Sequence, residues 1–189
     1  YSGASLSLDN NTLTLSGGGT LSNTNAFVLN NASSKLLLNS ITVDNVSTSL
    51  ASLGLDVDDD STVSSLTVAH TTPVSIASSK TLSGAITVTA GSIKLGEAGT
   101  LATTVSMSGG TLDADETLTL SGALSQSGNI TIDVASGKTL SYSGAALSLG
   151  AYTLTMSGEG AFSNDNDLVL NHASSKLLLS SSITVGSVS

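Results

Sequence analysis

The residues best placed to do chemistry in this sequence are four acids in one short run, Asp56, Asp58, Asp59 and Asp60 in the segment LDVDDDST. Carboxylates at alternate positions 56, 58 and 60 reproduce the first half of a calcium loop, where side-chain oxygens converge on one hard cation. The second half does not follow. The glycine needed for the sharp turn is Ser61, and the twelfth position, where a bidentate glutamate closes the site, is Thr67. Asp56, Asp58 and Asp60 are therefore weak calcium candidates, and a solvated turn after Leu55 and Val57 is the simpler reading. Asp113, Asp115 and Glu116, and Asp165 with Asp167, read as turns of the same kind.

Other chemistries fare worse. Acid–base work on glycosidic bonds needs paired carboxylates in a groove, usually lined with aromatic rings that stack on sugar. This sequence has no tryptophan, 3% aromatic residues and no arginine, and Phe27 and Phe162 fall where the pattern wants core leucines. His70 and His172 are far apart in sequence, so they do not suggest a metal pair. Gly17, Gly18 and Gly19 lack the Gly-Lys-Ser/Thr and helix that make a phosphate cradle, and read as a tight corner. No catalytic residue and no cofactor are expected. With a formal net charge of -9 and only lysines as cations (Lys35, Lys80, Lys94, Lys138, Lys176), the chain is not suited to the phosphate backbone of nucleic acids or to an anionic membrane surface. No apolar run approaches the roughly 18–20 residues of a spanning helix. The absence of cysteine rules out disulfide staples and is compatible with export.

The elements that must carry these residues are visible in the periodicity. Apolar residues come in alternating pairs, such as Leu36 and Leu38, Ile41 and Val43, Leu55 and Val57, Leu66 and Val68, Ile86 and Val88, and Ile93 and Leu95. Period two means strands with one buried face. Gly, Asn, Ser and Asp punctuate the pairs every seven to ten residues or so, which limits each strand to about three to five residues. Such strands suit three short segments per coil of roughly 20 residues, wound as a right-handed parallel β-helix. The tetrapeptide Ala-Ser-Ser/Gly-Lys at Ala32, Ala77, Ala135 and Ala173 is read as one corner returning at the same angular position. Uneven coil lengths are assigned to loops such as 46–53.

A longer period overlies the short one. Tyr1 to Leu38 aligns without gaps on Tyr142 to Leu179, with 26 of 38 positions identical. Residues 1–141 therefore form a first solenoid repeat of about seven coils, and 142–189 begin a second copy within one continuous solenoid. The partial second copy predicts a longer natural protein. Neither the Asp165 and Asp167 pair nor His172 has a counterpart in the first copy, where Thr24, Ala26 and Asn31 stand. Four glycosylation sequons, at Asn10, Asn31, Asn45 and Asn129 (Asn10 by its successor Asn11-Thr12 context), are within chance for so Asn- and Ser-rich a chain. Four Thr-x-Thr motifs begin at Thr12, Thr87, Thr117 and Thr153, too irregular for a lattice-matching face; threonine also suits exposed strand positions in general.

Motifs such as GKTLSYSG, KTLSGAITV, TLTLSGGGTLSN and SGNITIDVASGKTL resemble the passenger regions of bacterial autotransporters and other very large β-helical surface adhesins. That resemblance implies a bacterial cell-surface or extracellular location and a stalk or fibre role in attachment or matrix formation. The expected partner is the chain itself, by end-to-end association or covalent continuation along the solenoid axis, together with an unspecified cell-surface or glycan target; no nucleic acid and no membrane insertion are expected. The competing expectation is a stand-alone binding module, such as an ice-binding or glycan-binding β-solenoid.

Overall fold

The computed structural model describes all 189 residues, Tyr1–Ser189, and contains strands, turns and no helix. It is a parallel β-solenoid of about nine turns. One sheet has nine strands stacked in chain order: Thr12–Ser16, Lys35–Asn39, Gly54–Val57, Thr72–Ile76, Ser92–Gly96, Thr111–Ala114, Ile130–Val134, Thr153–Gly158 and Lys176–Leu179. This is face 1. The other long sheet has twelve strands and folds over a corner. Thr42–Thr48 pairs with Thr20–Leu21 through its first half and with Phe27–Leu29 through its second. Thr100–Met107 divides in the same way between Leu118–Leu120 and Leu124–Gln126. Each long strand thus supplies two of the three faces, face 2 and then face 3.

The corner inside a long strand follows from its sequence. In Ser61–Val68, Val63 and Leu66 both point inward, and Ser64 and Ser65 both face solvent, so the alternation breaks between them. Two consecutive outward residues turn the strand without interrupting its ladder. This explains why strands reach eight residues where three to five were expected. It also moves a boundary: Val46, Ser47 and Thr48 belong to a strand, with Val46 buried, and the loop assigned to 46–53 begins only at Ser49.

Coil lengths are read directly from register. Leu13 pairs with Leu36, a coil of 23 residues, and Leu36 with Leu55, a coil of 19. Between the duplicated strands Thr12–Ser16 and Thr153–Gly158 the face 1 order makes seven steps. At about 4.8 Å per step the 141-residue repeat advances about 34 Å along the axis. The strand Thr139–Tyr142 runs across the boundary between the two copies without a break.

The core is a thin, mainly aliphatic column of 39 buried residues, to which a face 1 strand such as Lys35–Asn39 contributes two inward rows, at Leu36 and Leu38. A single coil cannot bury these residues, because their covering atoms belong to the coils above and below. Two polar devices reinforce the column. Asn23, buried at a corner, donates from Nδ2 to the carbonyls of Asn25 (3.0 Å) and of Asn45 one coil later (2.7 Å). Its duplicate Asn164 does the same to Asn166 (2.7 Å) and Ser187 (2.8 Å). The tyrosine opening each copy stacks on a phenylalanine, Tyr1 on Phe27 and Tyr142 on Phe162, at ring-centroid distances of 6.2 and 5.9 Å. The two phenylalanines are not equivalent. The second copy replaces Leu21 by Phe162 and Phe27 by Leu168, a paired exchange that conserves both ring contact and core volume.

One reading from the sequence is corrected. The four Ala-Ser-Ser/Gly-Lys tetrapeptides do not return at one angular position. Lys35 and Lys176 open strands on face 1, whereas Lys80 and Lys138 lie immediately before strands entering face 2. The turns differ accordingly. At Ala77 and Ala135 the tetrapeptide itself closes the turn, with Lys80 and Lys138 donating to the Ala77 and Ala135 carbonyls; in the other two the turn starts one residue earlier, at Asn31 and His172. The same four residues therefore serve two corners, in two hydrogen-bond registers.

Candidate functional site

Two acidic segments of the chain, 56–60 and 113–116, meet lysines on adjacent coils. Lys35 pairs with Asp56, Lys80 with Asp59 at 2.6 Å, Lys94 with Asp113 at 3.2 Å and Asp115 at 3.4 Å, and Lys138 with Glu116 at 2.5 Å. Each pair ties one coil to the next, in parallel with the backbone ladder. Exposed pairs of this kind contribute little individually. The hydrogen bond from Lys80 lowers the Asp59 pKa, and Asp59 in turn raises that of Lys80. Asp113 behaves differently. Burial outweighs the attraction of Lys94 and raises its pKa, with Asp115 and Asp133 adding repulsion. Asp133 lies directly across the register from Asp113 and accepts a hydrogen bond from the Ser157 hydroxyl.

The calcium candidates are drawn apart by this arrangement. Asp56 faces outward on face 1 and is held by Lys35, while Asp60 lies at the next corner, where Oδ1 accepts the Thr81 backbone N–H at 2.8 Å. Asp58, between them, is exposed. No three His, Asp or Glu side chains of the chain converge as a set of metal ligands. His172 fills a local role: Nδ1 accepts the Ser174 N–H at 3.0 Å, as Asn31 Oδ1 accepts that of Ser33 at 2.9 Å in the first copy. Of the sequon asparagines, Asn45 is committed to the corner ladder, donating to the Asn23 carbonyl at 2.6 Å, and Asn129 accepts the Thr153 N–H at 2.9 Å.

The most concave surface is a shallow open trough of about 250 Å³ along the corner between faces 1 and 2. Gly18, Ser40, Asp60, Thr62, Thr81 and Ser83 are among its lining residues, and Asp60 is the one acid there. It holds no carboxylate pair. The exposed aromatic rings, Tyr1 and Tyr152, lie outside it.

A different pattern emerges on face 2, and sequence reasoning missed it. A threonine precedes an inward apolar residue there on eight strands: Thr20, Thr42, Thr62, Thr81, Thr100, Thr119, Thr139 and Thr184, with Ala161 in the remaining place. Register stacks Thr20 on Thr42 and Thr42 on Thr62, and, one pleat across, Thr81 on Thr100 and Thr100 on Thr119. Ser83, Ser121, Ser141 and Ser163 occupy the second outward position on four of these coils. The threonine hydroxyls that bond inside the protein belong to other residues, Thr48, Thr72, Thr89 and Thr117. The result is a sheet face of hydroxyls spaced about 4.8 Å along the axis. The Thr-x-Thr motifs misled because they fall on three faces: those at Thr12 and Thr153 on face 1, that at Thr117 on face 2 and that at Thr87 on face 3.

Comparison with known protein families, with curated proteins and with solved structures gave no match. No helix is long and apolar enough to cross a membrane.

Proposed function

We propose that the protein is a structural segment of a long extracellular fibre or giant surface adhesin, a stiff stacked-β stalk that serves attachment or matrix formation. The observation that carries this reading is the duplication in register: the second copy begins on the same face and in the same pairing as the first, with Thr12 on Lys35 and Thr153 on Lys176. A repeat that closes after a whole number of coils extends a rod without turning its faces out of phase. The lysine–acid pairs, the asparagine corners and the tyrosine stacks all join coil to coil, as a continuous rod requires.

Electron microscopy of the native material tests this. The expected result is continuous filaments with an axial strand repeat near about 4.8 Å and a longer one near about 34 Å. Discrete particles with closed ends remove the reading.

The hydroxyl face favours one second reading, a stand-alone module that orders water at an ice surface. That reading expects thermal hysteresis in solutions of the protein, lost when Thr81 and Thr100 are replaced by lysine with the fold retained. A folded wild-type chain without hysteresis removes it.

A further inference from the structure

The trough between faces 1 and 2 originates in one missing residue. The corner joins inward positions that register stacks on one another: Leu15, Leu38 and Val57 on face 1, and Leu21, Val43 and Val63 on face 2. Leu15 and Leu21 lie six residues apart, as do Val57 and Val63, but Leu38 and Val43 lie only five apart. The middle corner is therefore the shortest of the three, and it turns through Ser40 at φ +54°. Residues 40–42 form the half-buried floor of the trough, with the fuller corners of the coils on either side as its rims. The second copy restores the missing residue. Ser180-Ser181-Ser182 stands where the first copy has Asn39-Ser40, so that Leu179 and Val185 are again six apart, and Glu159 replaces Gly18. The recess is thus written into one copy and filled in the other.

We propose that this trough is a binding site for a neutral saccharide. The hydroxyls of Ser40, Thr42, Thr62, Thr81 and Ser83 make no hydrogen bond within the protein; Thr81 reaches Asp60 through its backbone N–H. Ser61, by contrast, commits its hydroxyl internally, donating to the Asp59 carbonyl at 2.9 Å. Thr81 occupies Oδ1 of Asp60 and leaves the second carboxylate oxygen to accept from a ligand. A carboxylate accepts strongly from a sugar hydroxyl, and serine and threonine hydroxyls donate or accept as the ligand requires. Anionic ligands are opposed by Asp60 and by the net charge of -9, because Lys80 beside it is held by Asp59. Apolar ligands meet a single apolar lining residue, Ile41. At about 250 Å³ the trough falls below the roughly 300–1,000 Å³ that encloses a drug-sized ligand, so it takes one terminal or branching sugar and leaves the rest of a glycan in solvent. No aromatic ring lines it to stack on the sugar, so affinity rests on hydrogen bonds exchanged with water and is of millimolar order. The site gives the flank of the rod a recognition role that goes beyond the stalk reading and does not depend on it.

Amide NMR spectra of the full chain, titrated separately with D-glucose, D-galactose, D-mannose and N-acetyl-D-glucosamine, test the site, with N-acetylneuraminic acid and calcium chloride as charged controls. The expected result is saturable shifts with at least one neutral sugar, confined to the amides of residues 40–42, 60–62 and 81–83. Asp60→Asn keeps the acceptor for the Thr81 N–H and is expected to weaken binding at least about tenfold. A chain with one serine inserted between Ser40 and Ile41, the length that the second copy carries, is expected to keep the dispersed spectrum of the solenoid and to lose the shifts. No saturable shift with any of the four sugars, shifts unchanged by the insertion, or tighter binding of a charged control at the same amides overturns the proposal. Because binding is read on the isolated chain, the outcome is independent of whether native filaments exist, so failure of the fibre reading and failure of the saccharide site are told apart.

Discussion

Gly158→Ala is expected to lower the stability of the solenoid by about 3–5 kcal/mol, and Gly17→Ala, at the equivalent place in the first copy, by only about 1–2 kcal/mol. Both glycines have positive φ, +91° at Gly158 and +119° at Gly17, so an alanine is strained at either. They differ in what lies over them. A Cβ on Gly158 would stand 2.0 Å from the carbonyl oxygen of Val134 on the preceding coil, whereas one on Gly17 meets nothing within 4 Å. The stacking distance is fixed by the ladder on both sides, so the neighbouring backbone cannot move away without breaking bonds. Denaturation midpoints of the two variants measure the difference. Equal losses would show that strain alone, and not the approach of the coils, requires glycine.

The second large effect belongs to Tyr142. This side chain is 1% exposed, against 50% for Tyr1. Its hydroxyl donates to the Ala145 carbonyl at 2.5 Å and accepts the Leu124 N–H at 3.1 Å. Tyr142→Ala empties a ring-sized space beneath Phe162 and is expected to cost about 3–5 kcal/mol; Tyr1→Ala, at the open end, is expected to cost under about 1 kcal/mol. Tyr142→Phe keeps the packing, strands the Leu124 N–H, and is expected to cost about 1–2 kcal/mol. Burial raises the Tyr142 pKa above the ordinary value of 10.0. The stability this gives is fully present below pH 10 and is lost as pH rises from there through the folded-state value. Alkaline titration of wild type against Tyr142→Phe isolates it: the advantage of the wild type shrinks above pH 10. An advantage that persists unchanged into strong alkali means that the hydroxyl does not titrate with folding.

Much of the fold was legible in the sequence. Alternation at Leu36 and Leu38 or Ile93 and Leu95 gave the strands, and the duplicated segment gave the seven-coil repeat, because both depend on spacing along the chain. Corners were harder. Ala77–Lys80 and Ala32–Lys35 have identical residues and different turns, since the strand that follows decides which carbonyl closes the turn. Tyr142 was missed as a core residue although it alternates with Leu140, a signal that was available. The threonine rows on face 2 were not legible: the threonines that stack are 19 to 22 residues apart, and only the register shows which of them touch. The acids were misleading for the opposite reason, because closeness in sequence at Asp56, Asp58 and Asp60 placed them around a corner instead of about a point.

The strands lie across the rod, so the bonds of every ladder, and the lysine–acid pairs beside them, point along its length. Tension applied to the two ends therefore pulls these bonds open one coil at a time from a ledge, as in a zipper, and never loads a whole sheet in shear. Each coil of roughly 20 residues that peels away releases about 65 Å of chain for about 5 Å of lost rod. A rod built in this way therefore yields to an axial pull by releasing length one coil at a time, in steps set by coils of 19 to 23 residues.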